Sequence, residues 1–348
     1  MEKSANRSIL KWGILGAARV NERLLPAIVE ASNSQLVAIA SRRAGAAKTT
    51  LDKYAPSAQN VTCYDVLDAL INDKNVEAIY CPMANEEHAE WALKCIAAGK
   101  HILIEKPMAI RVQDIDAIEV AAKKAGVKVM EGFMYRFHPQ HAKVRELIDT
   151  GLIGDVLSCR ASFSFLMPPA RMYRINRPMS QGGGALWDIG PYAIHALRWC
   201  FGGNKAPLEP ISVIAQAKLN EHGADTVMSG VLDFGQDAQG RARYGHFDIS
   251  FERARKAEYE IIGDKGAIKC HNMWAYPSDD PVISWEAGGK SETLTLPKAN
   301  HFNLEIEHFS HCVLNDKAAF LTFADALNNC KTLAAAMQAS LKGTLIKI

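Results

Sequence analysis

The segment WGILGAAR, Trp12–Arg19, runs from a short apolar stretch into a turn that contains glycine. A strand that leads through such a turn into a helix is typical of the first βα unit of a dinucleotide-binding domain. Gly13 and Gly16 allow a pyrophosphate to approach the backbone, and the helix N-terminus supplies N–H groups. The strict G-x-G-x-x-G pattern is not met, because Ala18 and Asn21 occupy its second and third glycine positions. A tight strand–helix turn of any α/β domain is the alternative interpretation.

Around this turn, short apolar runs alternate with helical periodicity over the first ~130 residues. The runs that predict strands are Trp12–Leu15, Leu36–Ala40, Ala78–Cys81, Ile102–Glu105 and Val127–Met130. The segments that predict helices are Glu22–Ala31, Ala44–Tyr54, Tyr64–Ile71, Glu86–Ala98 and Val112–Ala125. Apolar strands that alternate with helices indicate a parallel sheet covered on both faces. We therefore predict an α/β Rossmann domain over residues 1–130.

The pattern changes after residue 130 to longer alternating segments, which predict antiparallel strands. These segments are Val156–Phe165, Ser212–Leu219, Val227–Phe234, Arg243–Phe251, Tyr259–Ile262 and Ala267–Cys270. Helices are predicted at His141–Thr150, around Pro191–Phe201, and near Leu304–Leu314 and Ala324–Leu341. We expect an α+β domain over residues 131–348 with a large open, mainly antiparallel sheet. Its C-terminal helices are expected to pack back on the first domain.

Composition excludes several classes of protein. The 348 residues are 48% hydrophobic with a net charge of +2. This charge is too small to indicate a protein that binds nucleic acid. No apolar run is long enough to span a membrane, and the polar start lacks the apolar core of a signal peptide. The eight cysteines form no CxxC pair, so neither a zinc site nor a disulfide scaffold is indicated. A cytoplasmic enzyme is the resulting expectation.

The residues after the second predicted strand bear on the cofactor. An NAD-binding domain places Asp or Glu there to accept from the ribose 2′-OH, whereas this chain has Ser41, Arg42 and Arg43. Guanidinium groups pair with phosphate through charge-assisted hydrogen bonds. The sequence therefore predicts NADP(H), with two solvated arginines at a helix start as the alternative.

Two further segments carry chemistry. Lys106 of Glu105-Lys106-Pro107 follows a parallel strand at its carboxyl end, where open α/β sheets bind ligands. A run of three glycines, at 182–184, precedes Asp188, Tyr192 and His195. If Asp188 begins the following helix, these three side chains share one face and form a proton-transfer set. A surface lysine and a capped amphipathic helix are the structural alternatives.

Together these segments resemble the glucose–fructose oxidoreductase / inositol dehydrogenase (Gfo/Idh/MocA) family over roughly the first 200 residues. The matching motifs are Gly13-x-x-Gly16-x-Ala18, Ala40-Ser41-Arg42, Pro82-x-x-Asn85-x-x-His88, Glu105-Lys106-Pro107, Met134–Pro139 and Gly183-Gly184-Ala185-Leu186-x-Asp188-x-Gly190-x-Tyr192. The chain is similar to the branch that contains dimeric dihydrodiol dehydrogenase, NADP-dependent D-xylose dehydrogenase and nucleotide-sugar 3-ketoreductases. Tyr192 stands where inositol dehydrogenase has histidine, which disfavours an inositol substrate.

The resemblance implies hydride transfer between nicotinamide and a carbon of a sugar, sugar derivative or cyclic diol. It implies the catalytic residues Lys106, Tyr192 and Asp188, and the substrate-binding residues Arg136, Asn176, Arg177, Tyr192 and His195. The cofactor would contact Gly13, Gly16, Ala17, Ala18, Arg19, Ser41, Arg42, Arg43, Pro82, Asn85, His88, Glu105 and Lys106. No metal is implied, although His301, Glu305 and His308 share a helical face. A homodimer or homotetramer through the C-terminal sheet is expected.

Tyr192 is the predicted proton carrier, with His195 as the second candidate. A free tyrosine titrates near ~10, so action near neutral pH requires a shift of ~3 units, or roughly 4 kcal/mol. An ammonium ~4 Å away at an effective dielectric of ~20 supplies about 4 kcal/mol, so Lys106 could suffice. Two rival functions remain: a dinucleotide-binding regulator without catalysis, and a reductase of another electrophile that resembles biliverdin reductase.

Overall fold

A computed structural model describes residues 9–203 and 206–348. The chain divides into two compact units, the first ending at Phe137 and regaining Asn300–Ala326. The second comprises His138–Ala299 and Leu327–Ile348. The first unit thus extends past the predicted boundary at residue 130, because residues 131–137 complete its last strand and the turn that follows.

The first unit is built on a six-stranded sheet in the order β3-β2-β1-β4-β5-β6, with every pair parallel. The predicted Rossmann architecture is confirmed. The elements up to the sixth strand are β1 (Leu10–Leu15), α1 (Asn21–Glu30), β2 (Ser34–Ala40), α2 (Ala46–Tyr54), β3 (Thr62–Tyr64), α3 (Leu67–Ile71), β4 (Ala78–Cys81), α4 (His88–Ala97), β5 (His101–Glu105), α5 (Val112–Ala125) and β6 (Val129–Gly132).

The order of the strands reverses between β1 and β4. Ile14 in β1 lies beside Ile39 of β2 on one side and Tyr80 of β4 on the other. The chain therefore leaves β1 in one direction and returns in the other, which opens a crevice at the carboxyl ends of these strands. The segments that precede α1 and α4 both begin at this edge.

Two predictions within this unit were wrong in detail. The segment Tyr64–Ile71 is not one helix, because Thr62–Tyr64 pairs with β2 as a strand and the helix begins only at Leu67. The last strand is Val129–Gly132 rather than Val127–Met130. The first error arises where a short apolar run satisfies strand and helix patterns equally, and the second is a shift of two residues in the bounds of a strand.

The second unit contains a nine-stranded sheet in the order β14-β13-β12-β11-β7-β10-β9-β8-β15. Helix α8 packs against β7, β10 and β11. The elements from residue 138 onward are α6 (Pro139–Asp149), β7 (Val156–Ser164), α7 (Ala185–Asp188), α8 (Gly190–Phe201), β8 (Ser212–Leu219), β9 (Asp225–Gln236), β10 (Ala242–Ser250), β11 (Lys256–Gly263), β12 (Gly266–Cys270), β13 (Val282–Ala287), β14 (Lys290–Thr295), α9 (His301–Leu314), α10 (Phe323–Lys342) and β15 (Ile346–Lys347).

The large, mainly antiparallel sheet is confirmed, with β7 and β10 as a parallel pair. The strands β13 and β14 were not predicted from the sequence. Five of the six side chains of Lys290–Thr295 are exposed, so this edge strand has no apolar face to give a period-two signal. β15 was missed because it has only two residues.

Helix α9 returns to the first unit, as expected for a C-terminal helix. Trp12 of β1 donates from Nε1 to the Ser310 hydroxyl at 3.0 Å, and its ring lies 5.5 Å from that of Phe309. Helix α10 differs from the expectation, because most of it, from Leu327 onward, belongs to the second unit. Over the described ranges, no helix is long and apolar enough to cross a membrane.

Candidate active site

The two glycines at the end of β1 and in the turn that follows it have different structural roles. Gly13 lies within the strand, where an added Cβ would come 2.9 Å from Val76, so packing beneath the sheet requires it. Gly16 follows the strand with φ of 131°, a conformation that side chains disfavour. The buried Asn21 donates from its amide to the Gly16 carbonyl at 2.8 Å and closes the turn. Gly16 is therefore the glycine that shapes the approach to α1.

The chain enters α1 through overlapping backbone turns. The N–H of Asn21 donates to Ala18 at 3.1 Å, and the N–H of Glu22 donates to Arg19 at 3.1 Å. These bonds satisfy the first amides of the helix itself. The turn residues that precede it, Ala17, Ala18 and Arg19, are thus the ones whose amides fit a phosphate at a helix N-terminus.

The arginines after β2 join three loops at the carboxyl edge of the sheet. Arg43 donates from Nη2 to the carbonyl of Ala17 in the glycine turn at 2.9 Å. Arg42 donates from both Nη atoms to Glu87, which lies after β4, at 2.6 and 3.1 Å. Buried Ser41 accepts from the N–H of Arg43 at 3.1 Å. The loops after β1, β2 and β4 thus converge, and the two guanidiniums they carry fit a phosphate-bearing ligand.

The Glu-Lys-Pro turn after β5 is also supported from its neighbours. Tyr80 of β4 donates its phenol proton to the Glu105 carboxylate. The backbone N–H of Met108 donates to the buried Glu131 of β6 at 2.7 Å. Lys106 itself is 7% exposed, so the turn holds a buried lysine at the edge where ligands bind.

His88 links the loop after β4 to this same turn. One ring nitrogen lies 2.7 Å from the Pro107 carbonyl and the other 2.9 Å from the Met83 carbonyl. Burial lowers the pKa of the His88 imidazole to about 4, so the ring is neutral at physiological pH. A neutral imidazole carries one N–H, so it donates to one of these two carbonyls while the other lies in contact with the second ring nitrogen. Through its contact with Pro107, His88 serves to position the Glu-Lys-Pro turn.

The other predicted residues of this unit lie nearby in different settings. Pro82 is buried directly after β4, and Asn85 begins the single 3₁₀ turn Asn85–Glu87. Arg136 is 8% exposed, and its guanidinium lies 5.2 Å from the centre of the Phe320 ring. Although predicted as a contact from the substrate domain, Arg136 belongs to the first unit.

In the second unit, Asp188 is held by two arginines that sequence reasoning missed. Arg171 donates to its carboxylate at 3.0 Å, and Arg174 donates to the other oxygen. Asp188 is 4% exposed, so these are substantially desolvated ion pairs. Both arginines lie on the 3₁₀ helix Pro169–Ile175. Their spacing of three residues was a usable signal.

The condition for a common face of Asp188, Tyr192 and His195, that Asp188 begins the helix, is not met. Asp188 ends the short helix α7, and Ile189, with φ of −117°, separates it from α8. Tyr192 and His195 do share α8, three residues apart, and both are buried. The helical break arises because Gly190 and Pro191 begin a new helix, as their preference for a first turn allows.

Aromatic side chains surround the Tyr192 ring within the second unit. The ring lies 4.8 Å from that of Trp274 in an edge-on arrangement and 5.6 Å from that of Phe163. Such pairs are favourable at these separations. They fix the ring plane of Tyr192 and so the direction of its phenol oxygen.

The glycine run accommodates groups of the protein itself. A Cβ on Gly183 would lie 2.0 Å from the Arg177 carbonyl oxygen, and one on Gly184 would lie 1.9 Å from the Asp225 carboxylate. Asp225 is fully buried and accepts from the N–H of Leu186 at 2.8 Å. Burial raises the pKa of this carboxyl to about 7. Gly184 therefore leaves room for a buried carboxyl beneath the turn that leads to Asp188, and no sequence pattern pointed to Asp225.

The remaining predicted residues are placed as follows. Asn176 is exposed after the 3₁₀ helix, and Arg177 is half-buried. His301, Glu305 and His308, which were noted for a shared helical face, all lie on α9, where His308 accepts from the backbone N–H of Phe320 at 3.0 Å and His301 and Glu305 are buried. Among the described residues, no group of three or more His, Cys, Asp or Glu could hold a metal ion.

A Rossmann unit with an arginine-bearing edge, followed by a unit with a large open sheet, defines a class of dinucleotide-dependent oxidoreductases. Comparison with known families places the chain within it. Residues 10–133 match the family model described as an oxidoreductase family with an NAD-binding Rossmann fold, and residues 141–269 match the GFO/IDH/MocA C-terminal domain. The chain belongs to the Gfo/Idh/MocA family.

Individual relatives agree over nearly the whole chain. A dTDP-3,4-didehydro-2,6-dideoxy-α-D-glucose 3-reductase of Actinomadura kijaniata is 32% identical, covering 90% of this chain and 91% of the relative. D-xylose 1-dehydrogenase (NADP⁺) 2 of Haloferax volcanii is 28% identical, covering 97% and 100%. The crystal structure of a 3-ketoreductase from Actinomadura kijaniata with NADP and TDP-benzene has a TM-score of 0.84 at 28% identity, covering 95% and 98%.

The depressed pKa of His88 predicts a stability that depends on pH. The unfolded imidazole takes up a proton below about pH 6.5, whereas the folded one resists until about pH 4. Stability from this group is complete above pH 6.5 and is lost as the pH falls, by about 2 kcal/mol between pH 7.5 and about pH 5. Urea unfolding at the two pH values should show a smaller difference in His88→Gln. The exposed His271→Gln is the control, and an unchanged difference in His88→Gln would contradict the prediction.

Proposed function

We propose that the protein is an NADP(H)-dependent oxidoreductase that acts on a carbinol or carbonyl carbon of a sugar, sugar derivative or cyclic diol. In the oxidative direction, the carbinol C–H would pass as hydride to NADP⁺, and the O–H proton would pass to a protein base, which leaves a carbonyl and NADPH. The observation that carries the proposal is the edge formed by Ser41, Arg42 and Arg43 beside the Gly16 turn. The relatives named as an NADP⁺ xylose dehydrogenase and a ketosugar reductase support it.

The same edge supplies the proposed cofactor contacts. The turn amides and the helix dipole behind them suit the pyrophosphate, and the guanidiniums suit the 2′-phosphate. Half-buried Glu105 and buried Lys106 would bind near the nicotinamide end. Bound cofactor supplies or accepts the hydride. The full proposed set is Gly13, Gly16, Ala17, Ala18, Arg19, Ser41, Arg42, Arg43, Pro82, Asn85, His88, Glu105 and Lys106, with Gly13 and His88 acting through packing and positioning.

We assign the proton transfer to Tyr192, with Lys106 stabilising negative charge on the substrate oxygen. Asp188 holds two guanidiniums, so we assign it an orienting role rather than that of the base. His195, one turn beyond Tyr192 on α8, is the second candidate for the proton. Arg136, Asn176 and Arg177 remain proposed substrate contacts.

The outer face of the second sheet supports association of identical chains. Ile214 and Tyr244 are 50% and 44% exposed on it, and Ile214 lies beside Val231. The face is mixed rather than apolar, since Val231 neighbours the exposed His246. We propose a homodimer or homotetramer through this sheet. We also propose the cytoplasm as its location, because the eight cysteines, all within the described ranges, form no disulfide, which fits a reducing compartment.

The assignment of the proton carrier predicts a specific order of activities. Tyr192→Phe and Lys106→Ala should each lower kcat by ~100-fold or more, the range for loss of a general acid–base group, while His195→Gln retains turnover within about tenfold. Activity is measured as NADPH consumption or formation with a panel of ketosugars, aldoses and cyclic diols, with Tyr54→Phe at the end of α2 as control. Near-normal turnover of Tyr192→Phe with loss in His195→Gln would reverse the assignment.

The same panel separates the rival functions. Cofactor binding without turnover on any substrate would favour a regulator of the same fold. Turnover only with a conjugated non-sugar electrophile would favour the reductase alternative. The presence of Lys106, Asp188 and Tyr192 together favours catalysis on a polyol.

The cofactor assignment predicts unequal binding of NADP⁺ and NAD⁺. Arg42→Ala should weaken NADP⁺ by about 10- to 100-fold, the range for one or two charge-assisted hydrogen bonds, and leave NAD⁺ nearly unchanged. Dissociation constants from fluorescence titration test this, with the exposed Arg111→Ala as control. Equal affinities for the two cofactors in the unmodified protein would refute the NADP assignment.

The proposed assembly predicts that one charge on the outer sheet face disrupts it. Val231→Arg should give a monomer by light scattering coupled to size-exclusion chromatography, because a guanidinium would be desolvated at the contact. Val120→Arg, at a 68% exposed position on α5, is the control and should not change the mass. A monomeric unmodified protein would refute the proposed assembly.

A further inference from the structure

One ion pair at the cofactor edge has no part in the function proposed so far. Arg42 donates from both terminal nitrogens to the two carboxylate oxygens of Glu87, at 2.6 and 3.1 Å. The Arg42 side chain is 58% exposed and that of Glu87 25% exposed. The guanidinium that we assign to a phosphate thus already holds an anion supplied by the protein, in the bidentate geometry that phosphate also uses.

The two anions compete for the same donors. To bind a phosphate through Nη1 and Nη2, Arg42 must release Glu87, because these nitrogens donate to it. An exposed pair is weak, so displacement costs at most about fivefold in affinity, equivalent to about 1 kcal/mol. The competition therefore lowers the affinity for a 2′-phosphate without preventing binding.

The charges around the pair act in the same direction. Glu87 and Glu90 both favour the charged form of Arg42 and raise its pKa. Each carboxylate would also repel a dianionic phosphate at this edge. Glu90 is partly neutralised by Lys94, which donates to it at 2.7 Å, whereas the partner of Glu87 is Arg42 itself. A phosphate must therefore displace Glu87 from Arg42, and it is then repelled by the same carboxylate.

A ribose without the 2′-phosphate would interact differently with Glu87. Its 2′-OH is a neutral donor, and a carboxylate is the acceptor that NAD-binding domains use for it. In this chain no carboxylate follows β2, but Glu87 reaches the same edge from the loop after β4. Glu87 therefore has the chemistry to accept from the 2′-OH while it remains bound to Arg42.

We propose that Glu87 is a cofactor-selectivity residue, which competes with the 2′-phosphate for Arg42 and accepts from the 2′-OH when the phosphate is missing. This inference rests on the cofactor assignment made above and adds to it. The result is a reduced preference for NADP(H) over NAD(H). It is set by one carboxylate in the loop after β4, whereas the carboxylate of NAD-binding domains is expected at the end of β2.

The test measures binding of two fragments, adenosine 2′,5′-bisphosphate and 5′-AMP, by isothermal titration calorimetry. Glu87→Gln should bind the bisphosphate about three- to tenfold more tightly and 5′-AMP equally or up to about threefold more weakly. In an Arg42→Ala background the same substitution should change bisphosphate affinity by less than about twofold. Glu119→Gln is the matched control, because it removes one carboxylate from an exposed pair with Lys123 on α5.

The outcomes separate the inference from the proposed function. Unchanged or weaker bisphosphate binding by Glu87→Gln, with normal binding by the unmodified protein, would overturn the inference alone and make Glu87 a support for Arg42. Failure of the unmodified protein and every variant to bind either fragment would overturn the cofactor assignment together with the inference. Circular dichroism of each variant verifies that it is folded.

Discussion

The carboxyl edge of the parallel sheet depends on hydrogen bonds that tie its loops to one another. Arg43 binds the glycine turn after β1, Arg42 binds the loop after β4, and His88 connects that loop to the turn after β5. Without these bonds a loop would become disordered at a small cost in free energy, since its backbone makes few of the hydrogen bonds that hold strands together. Each of these hydrogen bonds joins loops that follow different strands. Together with the sheet, they hold the residues predicted to bind the cofactor in one arrangement.

In the second unit, the position of Asp188 is fixed by buried charged groups. Asp188 is fixed by Arg171 and Arg174, and the turn that leads to it rests on Asp225. Removing one member of such a buried pair leaves an uncompensated charge, which is far more costly than losing a surface pair. The glycine at 184 is necessary here because a side chain would collide with the carboxylate beneath it. The position of Asp188 is therefore set by the packing of a polar cluster.

Sequence reasoning was sound for features that leave a local pattern. Strand–helix alternation gave the Rossmann unit, and the arginines after β2 and the lysine after β5 were located from their strands alone. It failed where the determinant was a contact between distant residues. The partner of Arg42 lies 45 residues away, and Asp225 lies 39 residues from the amide it accepts from. Gly190 and Pro191 did mark a helix start, but no local pattern showed that Asp188 would end a separate short helix before it.

These long-range contacts alter how the candidate site is understood. From the sequence, Asp188, Tyr192 and His195 were expected to share one helical face, with Tyr192 as the proton carrier and His195 as the second candidate. With Asp188 engaged by two guanidiniums and separated from α8, its carboxylate is suited to orientation. Tyr192 has its ring plane set by Trp274 and Phe163, so its oxygen points in a defined direction. We therefore keep the proton transfer assigned to Tyr192 and the orienting role assigned to Asp188.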